Sequence, residues 1–164
     1  MCDIDRAAEA VSALKKSRLA LATAESCTGG LVAKKITDVS GASEVFEGGV
    51  VSYSNEVKMK LLGVSRETLA AHGAVSEETA REMALGAREK LGADVGLSTT
   101  GIAGPTGGTK EKPVGTVCFG IASKAGARTF TKRFGEDKTR EEIREAASDF
   151  ALSLVIEECR RAGE

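Results

Sequence analysis

The chain has 164 residues, a net charge of −1, 41% hydrophobic residues and 29% charged residues, which is typical of a globular domain. A chain of this length forms one hydrophobic core, so we expect a single domain over residues 1–164. Near-neutral charge and few aromatic residues (five Phe, one Tyr, no Trp) argue against nucleic-acid binding. No apolar run reaches the roughly 20 residues of a membrane helix, and the N-terminus lacks a secretory signal. We therefore expect a cytoplasmic protein without membrane contact.

Hydrophobic periodicity predicts alternating helices and strands along the chain. The predicted elements are a helix over 4–17, a strand over 19–24, a helix from Thr28 to Val39, a strand over 48–54, a short helix ending at Gly63, a helical turn over 68–71, a helix capped by Ser76 and ended by Gly92, strands over 94–99, 114–123 and 128–134, and a helix over 139–161. The last two strands form a predicted hairpin. We expect an α/β fold with three α/β/α layers around a mixed β-sheet.

The first candidate for chemistry is the turn Ser26-Cys27-Thr28-Gly29-Gly30, between a predicted strand and a predicted helix. Either Ser26 or Cys27 is placed to act as an exposed nucleophile. The amides of Thr28, Gly29 and Gly30 are predicted to point outward, where they would hold an oxyanion or a phosphate. The alternative is a structural turn in which Thr28 caps the helix.

The second candidate is the segment 53–58, which runs from a predicted strand into a short helix. Because His72 is the one histidine of the chain and is interpreted as a helix end before Gly73, a serine nucleophile would need another base. A desolvated lysine can serve, because burial lowers its pKa. Lys58 and Lys60 are both candidates, and they lie on different helix faces. The alternative is a solvated helix carrying two lysines.

The third candidate is the segment from Thr99 to Pro105, with Gly107 and Gly108 beyond it, which leaves a strand end and opens the long glycine-rich loop 101–113. The alternative is a mobile surface loop. Arg140 and Arg144 lie one helical turn apart, a spacing that suits a phosphate clamp or a solvated salt-bridge surface. A single histidine and the lack of paired cysteines exclude the common zinc motifs, and we expect no metal and no cofactor.

Several motifs in this order closely resemble the CinA C-terminal domain family. They are TAESCTGG (23–30), GGVVSYSNEVKMKLLGV (48–64), HGAVSEETA (72–80), TGIAGPTGGTKEKPVGTV (100–117) and the last helix with its arginines. The resemblance implies a nicotinamide-nucleotide amidase, which hydrolyses nicotinamide mononucleotide to nicotinate mononucleotide and ammonia.

The resemblance also implies roles for single residues. It selects Ser26 as the nucleophile and Lys58 as the base that activates it, and leaves Cys27 packed inside. It implies a substrate site lined by Tyr53, by Thr100, Gly101 and Ala103 of the loop, and by Arg140 at the 5′-phosphate, beside the amides of Thr28, Gly29 and Gly30.

Two other hypotheses remain open from the sequence. One is a non-catalytic nucleotide-binding or partner-binding module linked to competence or DNA damage, as the names of family members suggest. The other is a thiol enzyme that uses Cys27. In each case the small domain with exposed sheet edges is expected to form a homo-oligomer.

Overall fold

The computed structural model describes residues 5–164, so Ile4 at the start of the first predicted helix lies outside the described residues. The helices are α1 (Arg6–Ser17), α2 (Leu31–Thr37), α3 (Asn55–Leu62), α4 (Arg66–His72), α5 (Glu77–Lys90) and α6 (Arg140–Ala162). The strands are β1 (Leu21–Glu25), β2 (Phe46–Val51), β3 (Val95–Gly101), β4 (Thr116–Ser123) and β5 (Gly126–Arg133).

The five strands form one mixed sheet in the order β2-β1-β3-β4-β5. Strand β1 is parallel to β2 and to β3, whereas β3, β4 and β5 are joined by antiparallel pairs. The expected mixed sheet and the late hairpin are thus confirmed. At the carboxyl end of β1, Glu25 pairs with Val51 on one side and with Thr99 on the other. This edge of the sheet brings three chain segments together.

Helices cover both faces of the sheet, which confirms the α/β/α layers. Leu21, Leu97 and Phe119 face a core shared with α1, α2 and α6. Ala22 and Ala24, which alternate with Leu21 along β1, face a smaller core shared with α3 and α5. Successive side chains of a strand point to opposite faces, so each buried strand supplies both cores.

Side chains at the helix starts follow the expected capping chemistry. Ser54 accepts a hydrogen bond from the Val57 amide at the start of α3, and Ser76 accepts one from Thr79 at the start of α5. Thr139 forms a reciprocal capping box with Glu142 at the start of α6. These bonds satisfy amides that have no partner inside the helix.

The predicted start of α2 is wrong. Gly30, not Thr28, occupies the cap position with φ +99°, and it has no side chain to accept a hydrogen bond. The helix ends at Thr37, so Val39 lies beyond it. The Thr28 hydroxyl is turned inward to another partner, described below.

Helix α5 packs very closely on its neighbours. A Cβ atom at Gly86 would collide with the carbonyl oxygen of Leu62, the last residue of α3. A Cβ atom at Gly96 of β3 would collide with the carbonyl oxygen of Ala84 on α5. Glycine at these two positions lets backbone meet backbone and fixes α3 and β3 against α5.

Candidate active site

Ser26 and Lys58 meet where the parallel strands β1 and β2 end. Ser26 directly follows β1, and Lys58 lies in α3, which follows β2. The Lys58 Nζ atom donates a hydrogen bond to the Ser26 Oγ atom at 3.0 Å. The carboxyl edge of parallel strands is where α/β proteins place their sites. The fold thus brings together the two residues that the resemblance implies as nucleophile and base.

Lys58 is buried without a carboxylate partner. Its residue is 1% exposed, and its Nζ atom also contacts the backbone oxygens of Ser52 at 2.8 Å and Tyr53 at 3.4 Å. None of the ion pairs formed by residues 5–164 includes Lys58. Burial lowers the pKa of the Lys58 amine below its ordinary value of 10.5. This environment favours a neutral amine, which can accept a proton.

Cys27 points away from this pair. Its side chain is buried in the core shared with α1, α2 and α6. Burial raises the pKa of the Cys27 thiol to about 12, so it remains protonated at neutral pH. This buried thiol is a poor nucleophile, and the structure therefore disfavours the hypothesis of a thiol enzyme.

Glu25 organises the turn that follows Ser26, a role that the sequence reasoning missed. Its buried carboxyl group accepts hydrogen bonds from the amides of Val32 at 2.8 Å and Ala33 at 3.0 Å, and from the Thr28 hydroxyl at 2.6 Å. The Thr28 hydroxyl also pairs with the Thr99 hydroxyl at 2.7 Å. One signal was present in the sequence: an acidic residue closes a strand that is otherwise uncharged, directly before the candidate nucleophile.

The amides of the turn are only partly as expected. The Gly29 amide donates to the Ser26 carbonyl oxygen at 3.0 Å, so the expectation that it points outward is wrong. For the amides of Thr28 and Gly30, no acceptor lies within the part of the chain that the structure describes. Thr28 is fully buried as a whole residue, whereas Gly30 is half-buried and its amide lies nearer the surface.

Tyr53 and Arg140 lie together beside the loop that follows β3. The Arg140 guanidinium donates to the Gly104 carbonyl oxygen at 2.7 Å and to the Tyr53 hydroxyl at 3.1 Å. Tyr53 is 66% exposed. Arg144, one turn further along α6, donates to the Thr28 carbonyl oxygen at 3.0 Å. The start of α6 is thereby tied both to the loop and to the turn after Ser26.

The side chains of the loop residues differ from the expectation. Thr100 is 1% exposed and its hydroxyl donates to the Ala74 carbonyl oxygen at 2.8 Å. Ala103 is packed in the larger core, and Gly101 is still part of β3, where it pairs with Val117. The side chains of Thr100 and Ala103 are thus turned inward, so the ligand contact expected of this segment stays a prediction and would be made by its backbone.

Two further observations concern the described residues 5–164. They contain no group of three or more His, Cys, Asp or Glu side chains arranged to hold a metal ion. None of their helices has the length and apolar character needed to cross a membrane.

Comparison with solved structures defines the class of this fold. It matches the competence/damage inducible protein CihA from Agrobacterium tumefaciens with a TM-score of 0.90 and 40% identity, over 96% of this chain and 97% of that one. It matches a CinA superfamily protein from Klebsiella pneumoniae with a TM-score of 0.90 and 35% identity, over 95% and 96% of the two chains. The fold is that of the CinA superfamily, an α/β class.

Sequence comparison gives the family. The CinA C-terminal domain matches residues 4–159, and the chain belongs to this family. A CinA-like protein from Chloroherpeton thalassium is 57% identical over 152 residues, which cover 91% of this chain and 36% of that protein. A putative competence-damage inducible protein from Thermoanaerobacter pseudethanolicus is 56% identical over 145 residues, covering 88% and 35%. The chain thus spans about a third of the length of these curated relatives.

Proposed function

We propose that the protein is an amidohydrolase that converts nicotinamide mononucleotide to nicotinate mononucleotide and ammonia. The observation that carries the proposal is the 3.0 Å hydrogen bond between Ser26 and a buried lysine that has no carboxylate partner among residues 5–164. A serine hydroxyl is a weak nucleophile until a neighbouring base removes its proton. A lysine with a lowered pKa is such a base.

The first half of the reaction forms an acyl-enzyme. Lys58 takes the Ser26 proton while Oγ attacks the carboxamide carbon of the substrate. The Gly30 amide, which has no acceptor among the described residues, lies in the same turn and is the candidate to stabilise the developing oxyanion. Lys58 then gives its proton to the departing nitrogen, and ammonia leaves as the carbon–nitrogen bond breaks.

The second half of the reaction regenerates the serine. Water enters the position that ammonia left, and Lys58 accepts its proton as the oxygen attacks the ester carbon. The bond to Ser26 Oγ breaks and the serine recovers its proton from Lys58. The product is the carboxylic acid, which gives its proton to solvent and leaves as the carboxylate, and the enzyme is back in its starting state, so the reaction consumes one water and requires no other reactant.

The residues around the pair suit a nucleotide with a cationic ring. The positive charge of a pyridinium ring withdraws electrons from its carboxamide and opposes protonation of nearby Lys58. Arg140 lies at the edge of the site and presents a guanidinium for the 5′-phosphate. Tyr53 beside it would contact the ligand, and the backbone of the 101–115 segment would contact the ribose.

A second candidate function is a binding module without catalysis. The name of the relative from Thermoanaerobacter pseudethanolicus, a putative competence-damage inducible protein, favours it. We further propose that the protein works in the cytoplasm as a homo-oligomer. The large hydrophobic side chains that stay exposed include Val51, Tyr53 and Leu61, all within one short stretch of chain, and this supports an interface there.

The test is ammonia release from nicotinamide mononucleotide in the presence of a chelator, comparing wild type, Ser26→Ala and Ser12→Ala. Ser12 lies on the exposed face of α1 and serves as the control. We expect Ser26→Ala to lose at least about a thousandfold in rate while remaining folded, and Ser12→Ala to match the wild type. Full activity of Ser26→Ala would refute the nucleophile assignment. An inactive wild type would favour the binding module, to be followed by calorimetry with the nucleotide.

A further inference from the structure

We propose that Glu25 is a positioning residue that holds Ser26 and Lys58 in the correct position relative to each other. The inference rests on the proposed function, because it concerns the same pair. Glu25 is the last residue of β1, is 2% exposed, and contacts three separate parts of the chain around the site. Its carboxyl group acts on the turn after Ser26, and its backbone carbonyl acts on the segment that holds Lys58.

The carboxyl group fixes the turn through three donors. One oxygen accepts from the Val32 amide and from the Thr28 hydroxyl, and the other accepts from the Ala33 amide. All three partners are donors, so a group with two acceptor oxygens is required at this point. Because the three donors follow Ser26 within seven residues, they hold the turn that carries the nucleophile and its free amides.

The same side chain ties the turn to β3. Thr28 has one hydroxyl proton, and it donates that proton to Glu25. The hydroxyl of Thr99 must therefore donate to Thr28 across their 2.7 Å contact. The Thr99 carbonyl oxygen accepts from the Ser26 amide at 2.9 Å. Glu25, Thr28 and Thr99 thus close a ring of contacts around the backbone of Ser26.

The backbone carbonyl of Glu25 reaches the other half of the pair. It accepts from the Ser52 amide at 2.8 Å and from the Ser52 hydroxyl at 3.3 Å. The Ser52 carbonyl oxygen in turn accepts from Lys58 Nζ at 2.8 Å. Ser26 and Lys58 are therefore both linked by hydrogen bonds to Glu25. A displacement of Glu25 would change the position of the nucleophile relative to the base.

The experiment compares Glu25→Gln, Thr28→Val and Thr28→Ser with wild type. Glutamine offers one acceptor oxygen and turns an NH₂ group toward the Ala33 amide, so that two donors face each other. Thr28→Val removes the bridging hydroxyl at nearly constant volume, whereas Thr28→Ser keeps it. Ser98→Ala is the matched control, since Ser98 is buried and its hydroxyl donates to Ala80 on the α5 side of the sheet.

Two readouts separate positioning from a merely structural role. The first is kcat and KM for ammonia release from nicotinamide mononucleotide, measured well below the unfolding temperature of each variant. The second is the rate at which a fluorophosphonate probe labels Ser26, followed by intact mass, with Lys58→Met as the unreactive reference. The labelling rate depends on the alignment of Ser26 with Lys58 and requires no assumption about the substrate.

We expect Glu25→Gln and Thr28→Val each to lower kcat and the labelling rate about tenfold, with KM within about threefold of wild type. Thr28→Ser should restore wild-type rates, and Ser98→Ala should lose thermal stability without losing rate. Wild-type labelling in both Glu25→Gln and Thr28→Val would overturn the positioning role and leave the proposed function intact. A wild-type protein that neither labels nor releases ammonia would overturn the proposed function, and the positioning role with it. If Glu25→Gln does not fold, the comparison of Thr28→Val with Thr28→Ser alone tests the positioning role.

Discussion

A half-buried lysine and a buried lysine of this protein have opposite electrostatic surroundings. Lys35, on α2, pairs with Glu145 at 2.6 Å and Asp149 at 2.9 Å on α6. Burial alone would lower its pKa, but hydrogen bonds and charge interactions with both carboxylates outweigh burial and raise it. Lys58 has no carboxylate partner among the described residues, and burial lowers its pKa. The same side chain is thus an ion-pair member at α2 and a candidate base at α3.

The comparison shows why a lone buried amine points to chemistry. A carboxylate beside Lys58 would hold its proton and remove its ability to accept one from Ser26. The site instead surrounds the amine with a hydroxyl and backbone oxygens, which satisfy its hydrogen bonds without a full negative charge. The cost is a group whose charged form is poorly solvated, and such costs concentrate at functional sites.

The largest expected effect is on the rate of ammonia release, and it distinguishes Lys58 from Lys35. Lys58→Met should lower the rate of ammonia release by at least about a thousandfold, because the Ser26 proton loses its acceptor. Lys35→Met should leave the rate within about threefold of wild type. Both rates would be measured with saturating nicotinamide mononucleotide. Equal losses of rate in the two variants would mean that Lys58 acts only through stability and does not differ from Lys35 in its role.

A smaller effect concerns pH. Lys58 accepts a proton only when neutral, so kcat/KM should rise with pH and level off at the lowered pKa of Lys58, below 10.5. Below that point we expect about a tenfold change in rate per pH unit. Rates across the pH range in which the protein stays folded would show the midpoint. A rate that is constant across that range would contradict a base at this position.

The lowered pKa of Lys58 also determines how its contribution to the free energy of unfolding changes with pH. Between the lowered pKa of native Lys58 and 10.5, the unfolded chain binds more protons at this residue than the native chain. The contribution of Lys58 to the free energy of unfolding therefore rises with pH in that window. Lys58→Met should lack this pH dependence, which urea unfolding at several pH values would detect.

The smallest expected effect concerns the carboxylates around Lys35. Glu145→Gln combined with Asp149→Asn should lower the Lys35 pKa, because both charges that raise it are removed. The free energy of unfolding should fall by about 0.5 kcal/mol per pair, since both acidic side chains are about half exposed. NMR titration of the lysine side chains and urea unfolding would measure the two quantities. An unchanged Lys35 pKa would show that its carboxylates do not set its charge.

The residues alone left two alternatives for each member of the pair, and the resemblance to the CinA C-terminal domain family selected Ser26 over Cys27 and Lys58 over Lys60. The folded chain separates the two lysines, because Lys58 shares the buried face of α3 with Leu62 whereas Lys60 is exposed. Glu25 was missed because its three donors come from a turn and from α2, and that arrangement exists only in the folded chain.

The inward position of the Thr100 side chain has its cause in strand length. The sequence predicted a strand over 94–99, whereas β3 continues to Gly101. Thr100 is therefore a strand residue, and it points to the same face as Ser98, toward α5. Two extra residues of strand are enough to turn the Thr100 side chain into the interior. Glycine and proline beyond that point gave no signal for where pairing with β4 stops.

Gly86 shows how far the requirements of the site extend along the chain. It has no chemical group and lies on α5, yet any side chain there would press on the end of α3, one turn after Lys58. Among randomly varied sequences, few residues other than glycine would be accepted at position 86, just as few changes would be accepted at positions that contact the substrate. Its restriction would come from the shape of the backbone alone, so a catalogue of reactive groups would never include it.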